Sequence, residues 1–138
     1  MLLDSATVEN NFQRFIDRII ENESVFYLAS EDGVANSVSN EDEETPILMF
    51  WSDRAYATRA KNCFDEVFNE VKMDLFDFLY RWLPGMSGDG VLAGPNWNGD
   101  LVGKEIDPFE LRELIEGRMP SDLVNKYEQK YHELTRDT

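Results

Sequence analysis

A chain of 138 residues is the size of one folded domain, and a 42% hydrophobic content supplies a core, which excludes wholesale disorder. Twenty-eight acids against 13 bases leave a net charge of −15, the wrong sign for a surface that neutralises phosphates, so nucleic-acid binding is excluded. A single cysteine, Cys63, rules out an internal disulfide and a cysteine-built zinc site, and no apolar run approaches the ~20 residues of a membrane span.

Met1-Leu2-Leu3-Asp4 turns polar at once with no basic segment before it, unlike a secretory signal, so a reducing cytoplasm is the expected location. The first predicted element is an amphipathic helix from Thr7 to Asn22. Val8, Phe12, Phe15, Ile16, Ile19 and Ile20 recur at spacings of three and four, with Thr7 as N-cap and Glu9 near the positive end of the dipole. Two strands follow, Val25–Leu28 and Val34–Val38, across a turn at Glu31-Asp32-Gly33. The loop Asn40–Thr45 holds four consecutive acids, Glu41, Asp42, Glu43 and Glu44, before Pro46 opens a short buried strand, Ile47–Phe50. Residues 1–50 carry 11 acids and 2 bases, a net of −9, and this loop is their densest point.

From Trp51 the pattern turns helical as far as Asn62 or Phe64, with Ser52 as N-cap and Asp53 in the first turn. A strand over Val67–Lys72 comes next. Asp74 then caps a helix whose apolar face is Leu75, Phe76, Phe78, Leu79, Trp82 and Leu83, and Pro84-Gly85 is expected to end it. The loop Gly85–Gly90 leads into Val91–Gly94, and after Pro95–Asp100 comes a strand, Leu101–Ile106. Asp107, Pro108 and Glu110 form an N-cap, a first-position proline and a capping-box acid, opening a helix to about Glu116. A last helix, Asp122–Arg136, bears a thin stripe of Leu123, Tyr127, Tyr131 and Leu134. It is either loosely docked or an oligomer contact, so a homodimer is one expectation. The whole chain, 1–138, reads as a single domain of α+β class, one small antiparallel or mixed sheet covered by amphipathic helices. Residues 118–138 form a peripheral helix.

The segments Phe50–Ala57, Trp82–Met86, Asp89–Leu92 and Asn96–Leu101 resemble the domain of unknown function 2750 family, found mostly in proteobacteria, over roughly residues 12–116. The resemblance implies a small cytoplasmic domain and brings with it no established activity, cofactor or catalytic residue. In order of elements the chain is also similar to SseB-type secretion-enhancer domains, a likeness of topology that would imply protein interaction and cannot by itself establish it.

The chemistry-bearing residues concentrate around the three tryptophans. Trp51-Ser52-Asp53-Arg54 lies where a strand hands over to a helix, a place where free N–H groups meet ligands. Trp82, Asp89, Asn96, Trp97 and Asp100 flank loops that could converge on the same strand end. Together Trp51, Asp53, Arg54, Trp82, Asp89, Asn96, Trp97 and Asp100 are the candidate binding residues; the competing reading makes them core packing, caps and loop fasteners. Gly85, Gly88 and Gly90 follow a helix and lack a Gly-Lys-Ser/Thr ending, so they form no phosphate loop. Asn96-x-Asn98-x-Asp100 differs from a calcium loop, having Leu101 at the sixth position and Asp107 at the twelfth. His132, the only histidine, is remote in sequence from Cys63 and is expected to be exposed, while Cys63 reads as a small apolar residue. No cofactor or metal is expected, and the balance is against an enzyme.

These residues support a cytoplasmic protein-interaction or regulatory module with an unidentified protein partner and no membrane contact. The rival is a small polar-ligand-binding or enzymatic domain built on the same loops. A third version sets the acidic loop against a basic partner, as an inhibitor or immunity-type protein would. Flat loops with exposed tryptophan favour interaction; a concavity favours a ligand site.

Overall fold

The computed structural model describes residues 5–39, 41–98 and 103–136. Helix α1 (Ser5–Asn22) buries Phe12, Phe15, Ile16 and Ile19 along one face. It starts at least two residues before the expected cap, so Thr7 lies inside its first turn. Strands β1 (Ser24–Ser30) and β2 (Gly33–Val34) pair across the Glu31-Asp32 turn, where Gly33 takes a φ of +131° that side-chain-bearing residues rarely adopt. The backbone bends at Ala35 into β3 (Asn36–Val38), which pairs with β4 (Pro46–Phe50) instead.

Helix α2 (Arg54–Lys61) follows, with Asp53 rather than Ser52 at the N-cap position; the Ser52 hydroxyl is turned inward and fully buried. Strand β5 (Asn69–Asp74) is antiparallel to β1 and lies two residues later than the Val67–Lys72 pattern suggests, leaving Val67 outside and 84% exposed.

The next helix does not stop at Pro84-Gly85. It runs as α3 (Leu75–Asp77), a π-helical segment (Phe78–Trp82) and α4 (Leu83–Gly88). A proline inside an α-helix lacks the N–H for the bond four residues back and its ring strikes that carbonyl. The wider π turn immediately before Pro84 moves the ladder to five-residue spacing and relieves both problems. The actual stop is a left-handed Gly90 (φ +71°), where Val91 N–H donates to the Met86 carbonyl at 2.9 Å and Gly90 N–H to that of Ser87 at 3.3 Å.

Strand β6 (Leu92–Pro95) lies parallel to β4, as its helical crossover requires. Of the expected strand Leu101–Ile106, Leu101 and Val102 fall outside the described residues, and Ile106 makes one antiparallel bridge to Ala93. Helix α5 (Pro108–Arg118) starts as its sequence indicates: the Asp107 carboxylate accepts from Phe109 N–H at 3.0 Å and Glu110 N–H at 3.1 Å. It passes through Gly117 to Arg118 before α6 (Ser121–Thr135).

The strands form two three-stranded sets, β2-β1-β5 and β3-β4-β6, joined where Phe26 and Trp51 exchange both backbone hydrogen bonds at 2.8 Å. One parallel and several antiparallel pairings make the sheet mixed and the fold α+β. Successive residues of a strand point to opposite faces, and here both faces are covered. Val25, Phe50 and Ala93 meet α1, the Leu75–Gly88 helix and α5. Phe26, Leu28, Ile47, Met49 and Trp51 meet Ala57 and Ala60 of α2, together with Phe68 and Trp97. That is why β4 reads as an unbroken apolar run.

Helix α6 docks by half its length. Tyr127 packs edge-on against Phe76 at 5.5 Å, and its hydroxyl donates to Glu23 at 3.0 Å, while Tyr131 stacks on Tyr80 at 5.1 Å. Beyond it Leu134 is 50% exposed. Burial and the Glu23 carboxylate together push the Tyr127 phenol well above its ordinary range. Replacing Tyr127 by Ala will lower unfolding free energy by about 3 kcal/mol, whereas Tyr127→Phe, which loses only the bond to Glu23, will cost about 1 kcal/mol. Urea denaturation of the two variants measures both.

Candidate functional site

The parallel strands β4 and β6 end side by side, and the segments that leave them, Trp51-Ser52-Asp53 and Asn96-Trp97-Asn98, are cross-linked. Asn96 N–H donates to the Phe50 carbonyl at 2.8 Å. Asn96 itself sits in the left-handed region (φ +48°), which asparagine tolerates better than most residues. In that conformation its side chain, on a residue only 6% exposed, reaches two neighbours. Its Oδ1 accepts from Ser52 N–H at 2.8 Å, and its Nδ2 donates to Ser52 Oγ at 3.1 Å and to the Asn11 carbonyl of α1 at 3.3 Å.

The chain of bonds continues outward. Ser52 Oγ donates to Asp53 Oδ2 at 2.9 Å, and Asp53 Oδ1 accepts from Arg18 Nη2 at 2.7 Å and Nε at 3.2 Å. Partial burial pushes the Asp53 carboxyl up. The hydrogen bonds from Arg18 and Ser52 and the charges of Arg18 and Arg14 outweigh it and leave the group below the usual carboxylate range. On the inner side, Trp51 Nε1 donates to the Trp97 carbonyl at 2.9 Å and Trp97 Nε1 to the Lys104 carbonyl at 2.8 Å. The Trp97 indole lies so close to two backbones that a Cβ at Gly103 would come within 2.4 Å of it and one at Gly94 within 2.8 Å. Glycine at both positions is a requirement of that packing.

Above this framework a cleft of about 190 Å³ opens between α1, α2 and the segment after β6, lined by Asn11, Tyr56, Arg59, Asn96, Trp97 and Asn98. The guanidinium carbons of Arg14 and Arg59 lie 5.6 and 5.9 Å from the Tyr56 ring centroid.

Of the residues singled out in the sequence, Asn96 and Trp97 line this cleft, and Trp51 and Asp53 support it from below and beside. Arg54 is exposed with its guanidinium 5.1 Å from the Phe26 ring centroid. Trp82 belongs to the opposite face of the sheet, 4.8 Å from Tyr27 and 5.9 Å from Phe50 between ring centroids. Asp89 is exposed at the end of α4, and Asp100 lies outside the described residues. Asn11, Tyr56 and Arg59 come from helices; Tyr56 lies within the Phe50–Ala57 segment, nothing local marks Asn11, and the signal for Arg59 was the presence of a base in so acidic a chain.

Glu41, Asp42, Glu43 and Glu44 are all exposed, and none lines the cleft. Their loop is folded: Asp42 accepts from Thr45 Oγ1 at 2.8 Å and Glu44 N–H at 3.0 Å, which holds its carboxyl below the ordinary range. Ser39 Oγ accepts from Glu41 and Asp42 N–H groups and donates to Glu105. His132 and Cys63 are exposed. Among the described residues no cluster of histidine, cysteine and acidic side chains could hold a metal ion, and no helix is long and apolar enough to cross a membrane.

These features define an α+β protein with a mixed sheet covered by helices and a polar cleft at the ends of its two parallel strands. A family model, DUF2750 (protein of unknown function), matches residues 12–115, and the chain belongs to that family. No curated protein and no solved structure matches it.

Two consequences for stability follow from the cross-link. Asn96→Ala removes three hydrogen bonds and places a Cβ-bearing residue without a compensating side chain in the left-handed region. It will cost about 3 kcal/mol in chemical denaturation, and Asn96→Gly, free of the conformational term, about 2 kcal/mol. Because the folded state holds Asp53 below its unfolded value, the stability it adds is present above about pH 4 and is lost as pH falls through the folded value. Asp53→Asn will therefore destabilise by about 1 kcal/mol at pH 7, and the difference from wild type will shrink towards zero as pH falls through the folded-state value.

Proposed function

We propose that this protein is a regulatory module that binds a small polar ligand in the cleft between α1, α2 and Asn96–Asn98. The observation that carries this reading is the concavity itself, at the carboxyl ends of the parallel strands β4 and β6, where α/β sheets characteristically place ligands. Trp51 and Trp97 are 0% and 3% exposed, so the indoles act as walls and supports; flat exposed tryptophan loops, the pattern of a pure docking surface, are not what they form. A buried asparagine in a rarely populated backbone conformation, fastened to Ser52 and α1, supplies the rigid backing that a site needs. Binding there would couple α1 to α2, which is how a regulatory change could be passed on.

A second reading concerns the Glu41–Glu44 loop as the contact for a basic protein partner. The observation favouring it is that four exposed acids are held in one folded turn by Asp42 and Ser39, which concentrates the field.

The first reading is tested by titrating ¹⁵N-labelled protein with a library of small polar fragments and following amide and indole resonances. Fragments will shift the Trp97 indole N–H and the amides of Asn11, Tyr56 and Asn98. Shifts that map consistently to another surface, or to none, overturn it.

A further inference from the structure

We infer that the group this cleft takes is a carboxylate on a monoanionic ligand, with Arg59 as its ion-pair partner and Arg14 as a second cation at the rim. The inference rests on the reading of the cleft as a ligand site and assigns the chemistry of what enters it.

The first argument is the sign of the walls. The chain carries 28 acids, and its other principal concavities are lined by them. Asp65 and Glu66 border the hollow beside β2, Glu113 and Glu116 that on α5, and Glu23 both hollows beside α6. The lysines and arginine in those walls (Lys72, Lys126, Lys130 and Arg112) therefore have carboxylates beside them. The cleft at the strand ends has Arg59 in its wall and no carboxylate among its described lining residues. Seven other cations of the chain are engaged in ion pairs, from Arg18 with Asp53 to Lys126 with Glu23. Among the described residues Arg14 and Arg59 make none, as is also true of Arg54, Lys72, Lys130 and Arg136. Arg14 and Arg59 are the two whose guanidinium carbons lie over the Tyr56 ring at the cleft, 5.6 and 5.9 Å from its centroid. Asp53, whose charge Arg14 also feels, is already held by Arg18 at 2.7 Å. Among the described residues the local balance is therefore positive inside a molecule of net charge −15.

The second argument is the donor set. The Asn96 amide is fully engaged with Ser52 and Asn11, so it shapes the cleft and does not bind. The side-chain amide of Asn11, the Tyr56 hydroxyl and the Arg59 guanidinium make no hydrogen bond among the described residues, and all three can donate. A guanidinium fork with an amide and a phenol beside it matches the planar oxygens of a carboxylate, and bonds to an ionised acceptor are about twice as strong as neutral ones. The Trp97 ring supplies an apolar wall for the carbon that bears it.

The third argument is size and total charge. A volume of about 190 Å³ holds a carboxylate and a few carbons. The overall charge of −15 opposes every negative charge brought to the surface, and a small monoanion meets the least of that opposition.

The test uses the intact protein and ¹⁵N chemical-shift titration with four probes: propionate, its neutral isostere propionamide, inorganic phosphate, and a tripeptide with its C-terminus free or amidated. Propionate will shift the Trp97 indole and Asn11 side-chain signals. Propionamide will bind at least about tenfold more weakly, and Arg59→Gln will weaken propionate about tenfold while Arg81→Gln leaves it unchanged. If the free-acid tripeptide outbinds propionate and its amide does not, the carboxylate is a peptide terminus. Equal binding assigns it to a free small acid, and either result supports the inference. Propionamide binding as well as propionate, phosphate binding better, or an inert Arg59→Gln would each overturn the carboxylate assignment while the cleft remains a ligand site. If none of the probes, nor any polar fragment, shifts the cleft resonances, both readings fall together.

Discussion

The geometry of the candidate site depends on one buried side chain. Asn96 leaves β6 in a left-handed conformation, so its amide turns back towards the end of β4 and satisfies the backbone and hydroxyl of Ser52 while reaching the carbonyl of Asn11. Buried polar groups of this kind hold position because any displacement leaves several of them without partners at once. The strand ends, the first turns of α2 and the middle of α1 are thereby set relative to one another. The walls of the cleft are the outer surfaces of those same three elements.

Packing around this cross-link divides the apolar residues by the pleat. Alternate residues of β1 and β4 point to opposite sides, so the sheet has a helix-rich layer against Val25 and Phe50 and a second layer against Phe26, Met49 and Trp51. The tryptophans follow this division. Trp51 and Trp97 are linked through an indole-to-carbonyl bond on one side, while Trp82 packs at a tilt against Tyr27 and edge-to-face with Phe50 on the other. Their size serves the core in both places, and only Trp97 also shows an edge to the cleft.

Charge is distributed with comparable selectivity. The excess of acids lies on exposed positions such as Glu41–Glu44, where water screens it, and most cations are matched to carboxylates on neighbouring elements. Arg14, Arg54 and Arg59 stand over aromatic rings without an ion pair among the described residues, and two of them share Tyr56. Helix α6, outside the matched span of 12–115, is held by the same kind of contact, with Lys130 over Phe76 and Tyr131 on Tyr80.

Sequence alone determined whatever depends on neighbours along the chain. The period of α1, the Asp107-Pro108 start of α5, the apolar run of β4 and the α+β class all follow from spacing and local hydrogen-bonding chemistry. It misjudged Pro84 because the π turn that accommodates the ring has no local signature, and it misjudged Ser52 because a hydroxyl can cap a helix or be drawn inward by a distant amide. The sequence shows Trp51 at one strand end with loops able to converge on it, but not that Trp97 follows a second strand. It groups Trp82 with the other two because it shows the residue and not the face of the sheet it joins. Only the tertiary structure brought Asn11, Tyr56 and Arg59 beside Asn96 and Trp97. Those residues come from three elements, and their proximity is set by the packing of α1 and α2 at the strand ends, a long-range geometry that no local pattern encodes.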